Sequence, residues 1–156
     1  MIKFARRTPT SFFFRVMFIT TLLFSLSACS VQQVAFFDEG SLQMAQDTAI
    51  RVDMFFAKMQ RKPEEQRTFD ASEEEYIEVA VLLNAMLVRN KNRQFNELST
   101  EQVQSLIELW QDEESGHKAR NNFPDVLIKL HRQQFQIAFA SIMRGEQYKI
   151  NPINEL

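Results

Sequence analysis

Glu114-Ser115-Gly116-His117 has the Glu-x-x-His spacing that sets a carboxylate and an imidazole one turn apart on a helix, as in bundles that hold paired iron or manganese ions. Such a centre needs a second copy of the motif and two further glutamates on neighbouring helices. The only other histidine, His131, has Leu127 and Ile128 four and three residues before it, so the second copy is missing. Gly116 also puts His117 where a helix is expected to end, and a solvated, charged terminus is the expectation there, with no metal. His131 and Gln134 fall among the apolar positions of a later helical stretch, and Trp110 on the preceding one can lie near them. That trio permits a polar spot in a cleft between helices, suited to a small apolar or lipid ligand. The plainer reading is an edge histidine hydrogen-bonded to a neighbouring helix. The chain has no Gly-x-Ser-x-Gly nucleophile elbow and no motif for a cofactor, so catalysis is not expected.

Cys29 is the single cysteine, so no disulfide can form within one copy. It follows a leader whose charges are Lys3, Arg6, Arg7 and Arg15, then the apolar run Val16 to Phe24, then Leu26-Ser27-Ala28. A basic start, a hydrophobic segment and a small-residue zone form the layout of a secretory signal. Arg15 interrupts the stretch from Phe12 to Leu26, leaving it short of the roughly 20 apolar residues that a spanning helix needs.

Leu26-Ser27-Ala28-Cys29 resembles the lipobox of bacterial lipoproteins: an apolar residue, two small ones and cysteine. The resemblance covers residues 26 to 29 and implies cleavage between Ala28 and Cys29, with a diacylglyceryl group on the Cys29 thiol and an acyl group on the new amino terminus. About two acyl chains are enough for stable attachment, so the expected state is a membrane tether without a spanning helix. The same resemblance implies that Ser30, not being Asp, favours the periplasmic face of the outer membrane in a Gram-negative cell.

The elements that must position these residues are helices. Removing the leader leaves roughly 130 residues, enough for one domain burying about two-thirds of its unfolded surface. The leader takes four of the 18 Lys plus Arg and none of the 20 Asp plus Glu, so the remainder has a net charge of about −6 and is poorly suited to nucleic acid. Three glycines and four prolines leave little material for hairpin turns. Leu42, Ala45, Ala49, Val52, Phe56 and Met59 recur at helical spacing from Ser41 until Pro63. Ser72 with Glu75 reads as a capping box opening a second helix over about 72–90. Ser99 with Gln102 reads as another, with Leu98 placed to staple onto Val103 and a third helix over 99–115, fraying through 120. Pro124 and Asp125 open a fourth, which Arg144 and Gly145 should end.

The expected organisation is thus a signal peptide over 1–28, a lipidated tether over 29–40, an all-α bundle of four amphipathic helices over 41–145, and a non-helical tail over 146–156. Arg89-Asn90-Lys91-Asn92-Arg93 is expected to compensate the end of the second helix, with lipid phosphate or an acidic partner as the other reading. Phe55, Phe56, Phe95 and Phe123 are expected mostly in the core, and exposure of both Phe55 and Phe56 would mark a partner groove. The function expected from this combination is a lipid-anchored, periplasm-facing module that docks an envelope protein.

Overall fold

Asp38 opens the first helix. Its carboxylate accepts the Ser41 backbone N–H at 3.0 Å and the Ser41 hydroxyl at 2.6 Å, which satisfies donors that a helix start leaves free. In the computed structural model, which describes residues 34–150, α1 runs Glu39–Arg61, two residues ahead of the expected start. Residues 1–33, with the expected signal peptide, Ala28, Cys29 and the first part of the expected tether, and residues 151–156 lie outside the described residues. Single 3-10 turns at Glu64–Gln66 and Asp70–Ser72 follow Pro63. They lead into α2 (Glu73–Lys91), α3 (Glu97–Arg120) and α4 (Asp125–Tyr148).

Short connections between long helices force an antiparallel course. α1 packs on α2 and α4, and α3 packs on the same two, so the four close an all-α bundle. At about 1.5 Å per residue, the 23 residues of α1 make a body about 35 Å long. One end gathers Val34–Ser41, the α2–α3 loop and the close of α4. The other carries the 62–72 segment and the α3–α4 loop. No helix among the described residues is long and apolar enough to cross a membrane.

The core is aromatic. Phe55, Phe56, Tyr76, Trp110, Phe123, Phe135 and Phe139 are all buried. Phe55 meets Tyr76 edge-on at 4.8 Å and Trp110 at 5.2 Å between ring centroids, and Trp110 meets Phe135 at 5.5 Å. Such edge-to-face pairs contribute about 0.5–1.5 kcal/mol each beyond their burial. Because Phe55 and Phe56 both turn inward, they do not form the exposed pair that would mark a groove.

Several expected helix ends move. Ser72 precedes α2 but gives no side-chain cap, and its hydroxyl donates to the Thr68 carbonyl at 3.2 Å instead. Ser99 lies inside α3, whose first turn starts after Asn96, and Leu98 is exposed, so neither box nor staple forms there. α3 continues through Gly116 to Arg120 and closes at Asn121, whose left-handed φ of 48° brings its N–H onto the His117 carbonyl. α4 likewise continues through Gly145, and the chain expected to be non-helical from residue 146 is helical to Tyr148. Tertiary partners for Glu146 and Lys149 account for that extra turn.

Candidate functional site

His117 sits deep in the molecule, and the expected solvated terminus is corrected by its surroundings. The 62–72 segment folds over the last turn of α3, placing Phe69 edge-on to the imidazole at 5.9 Å. Nε2 lies 2.9 Å from the Arg67 carbonyl and Nδ1 3.0 Å from the Tyr76 hydroxyl. A carbonyl can only accept, so Nε2 carries the proton and donates, and Nδ1 accepts from the tyrosine. Burial pushes the His117 pKa down, which agrees with this neutral tautomer, and burial also pushes the Tyr76 phenol well above its usual range. Both ring nitrogens are therefore occupied by structural partners. Among the described residues, no group of three or more His, Cys, Asp or Glu side chains is placed to hold a metal ion.

Arg67 pins the same segment. Its guanidinium donates to the Lys62 carbonyl at 2.8 Å, the Phe123 carbonyl at 3.1 Å and Asp125 at 2.6 Å, although the side chain is almost wholly buried. The far end of the bundle is thus closed by a cation whose partners come from two loops and the start of α4.

His131 on α4 does meet a neighbouring helix: its Nδ1 is in direct contact with Glu113 Oε2 on α3. Burial pushes the Glu113 carboxyl up to about 7. His131 is shifted down, first by burial and then by the Arg120 charge. Two bare acceptors facing each other would repel, so the contact calls for one protonated partner, although no hydrogen bond of ordinary geometry joins His131 Nδ1 to the carboxylate. Glu113 Oε1 finds no partner among the described residues, and the Arg120 guanidinium stops 4.0 Å away. The Glu113 carboxyl can hold and release a proton near neutral pH. A hydroxyl nucleophile hydrogen-bonded to it is absent among the described residues, which separates it from a nucleophile–base arrangement.

Trp110, His131 and Gln134 do not converge. Trp110 is buried among Phe55, Tyr76 and Phe135, with its indole N–H donating to the Tyr76 carbonyl at 3.2 Å. His131 is partly exposed beside Glu113, while Gln134 faces solvent. The helical spacing that singled them out locates residues on one helix but says little about which groups on the next helix meet them. Glu113 was missed for that reason. Its position one turn after Leu109 and Trp110's face was a readable sign that it points inward.

An apolar groove of about 310 Å³ runs between α1 and α4. Met54, Phe56, Phe139 and Met143 line it, with Asp53 and Arg132 paired across its rim at 2.7 Å. Ile50, Met54 and Ile137 expose large apolar side chains on these two helices.

The basic cluster at the end of α2 is more than a compensated terminus. Arg89 binds Asp38 through two hydrogen bonds of 2.7 and 2.9 Å, and this holds the aspartate carboxyl well below its usual range. Arg93 binds the buried Glu146 at 2.8 and 3.0 Å and also donates to the Phe36 carbonyl. Lys149 adds contacts of 2.7 Å to Glu146, 2.6 Å to Asn96 and 2.8 Å to Ser99. The Asp38 N–H completes the set at 2.8 Å from Glu146. Burial alone would raise Glu146, but these donors outweigh it and hold its pKa low. Residues expected to belong to a loose tether are therefore bonded into one end of the bundle. No family model, curated protein or solved structure matches the chain.

Proposed function

We propose that the chain is a lipid-anchored helical module that docks a protein of the bacterial cell envelope and carries out no catalysis. The observation that carries this reading is Leu26-Ser27-Ala28-Cys29 directly after a basic leader and an apolar run. In this reading Cys29 becomes the acylated first residue, and the bundle faces the periplasm from the outer membrane. No cofactor is required beyond the covalent lipid. The aromatic interior supports a scaffold role, because its largest side chains pack on one another and leave their polar atoms satisfied locally.

The α1–α4 groove supports the docking part, since exposed Ile50 and Met54 line it and present apolar surface on which a partner helix can bury its own apolar face. Its volume of about 310 Å³, at the lower end of small-molecule pockets, favours a second reading in which it holds an apolar or lipid ligand.

Metabolic labelling with a fatty-acid analogue tests the anchor: the natural chain should take up label and Cys29→Ala should not. Photocrosslinking from position 54 in cells tests the docking. A single envelope protein recovered from position 54, and lost with Ile50→Glu, is the expected result. A lipid-only adduct would favour the second reading, and neither adduct would end both.

A further inference from the structure

We infer that the end of the bundle bearing Val34, Phe36, Val88 and Phe95 lies against the lipid surface itself. The inference rests on acylation at Cys29. Five Cα steps separate Cys29 from Val34, and fully extended chain spans at most about 18 Å over that distance. Ala35 is fixed to the bundle by its N–H donating to the Phe95 carbonyl at 2.9 Å, and the Phe36 carbonyl is held by Arg93. The reach of the anchor therefore ends on the bundle itself, without further slack. A body about 35 Å long held this closely must keep this end near the headgroups.

The chemistry of that end matches a lipid surface. Phe36 is 92% exposed and Phe95 49%, with Val34 and Val88 half-exposed beside them. They border an open depression of about 940 Å³. Phe95 takes a left-handed backbone with φ of 58°, a strained conformation for a bulky residue. The residue so strained presents its ring to the outside instead of the core, and strain of this kind collects at binding surfaces. The charges there are balanced while the rest of the domain is acidic. Arg89, Arg93 and Lys149 neutralise Asp38 and Glu146, and exposed Lys91 offsets part of Glu39 and Glu97. Aromatic side chains with neighbouring cations suit the boundary between headgroups and acyl chains.

Acylation occupies the only natural thiol, so Phe36→Cys, Phe95→Cys and Glu65→Cys each create one labelling site on the lipidated full chain. Each is labelled with an environment-sensitive fluorophore and placed in vesicles of phosphatidylethanolamine and phosphatidylglycerol, with and without nitroxide-bearing lipids. Labels at 36 and 95 should shift to the blue and be quenched, while the label at 65, on the opposite end, should report water. Water-like signals at all three positions on a chain that still sediments with vesicles would overturn the inference and leave the anchor standing. A chain that carries no acyl group and fails to sediment would overturn both.

Discussion

Replacing Glu113 with Gln should remove a titration that weakens the natural fold as pH rises. The carboxyl is buried against His131 and is shifted from an ordinary 4.5 to about 7. The folded state thus keeps a proton that the unfolded chain releases. Stability from this group is fully present below the unfolded pKa and is lost as pH rises through the folded one. At about 1.4 kcal/mol per unit, the whole loss is about 3–4 kcal/mol, of which roughly 2–3 kcal/mol falls between pH 5 and pH 8. Gln keeps the shape and cannot ionise. Urea unfolding of the natural and Glu113→Gln proteins, prepared from Ser30 onward, should give free energies that diverge in favour of the variant by that amount across this range. Curves that stay parallel from pH 5 to pH 8 would refute the assignment of a burial-raised carboxyl.

Glu146→Ala should cost about 3–5 kcal/mol in urea unfolding, because it leaves Arg93 and Lys149 buried without their shared carboxylate; a loss under about 1 kcal/mol would contradict the network. Tyr76→Phe should cost about 1–3 kcal/mol by leaving His117 Nδ1 without its donor. Because burial holds the His117 pKa below its unfolded value, its contribution is present above about 6.5 and lost as pH falls through the folded pKa, so thermal melts of His117→Gln should show a weaker acid dependence than the natural protein. Phe95→Gly should stabilise the isolated bundle by about 1 kcal/mol by releasing the left-handed strain. Unchanged or lowered stability in that variant would mean that the ring packs usefully against the domain.

The four helices were legible because apolar residues recur at helical spacing in each, with acidic first turns expected on the second and fourth. α4 nevertheless runs past Arg144 and has no basic residue in its last turn. Pro63 stopped α1 as its missing N–H requires. Ends decided by tertiary contact were not legible. Ser99 looked like a cap, but Lys149, fifty residues away, uses its hydroxyl. Gly145 looked like a stop, yet it lies inside α4, which continues to Tyr148 where Glu146 and Lys149 find their partners. His117 followed a glycine and resembled a frayed end, whereas Arg67 and Phe69 from a 3-10 segment without helical periodicity cover it. Asp38 and Ser41 had the spacing of a true cap, which the reading of residues 29–40 as tether obscured. The pairing of Glu113 with His131 links two helices through side chains that pattern along either helix cannot connect.

Intact mass spectrometry of the protein extracted from membranes with detergent bears most directly on the lipid-anchored reading. It should show a polypeptide starting at Cys29 and heavier than its sequence by a diacylglyceryl group and one further acyl chain. A free thiol on a chain that still includes Ala28 would contradict it.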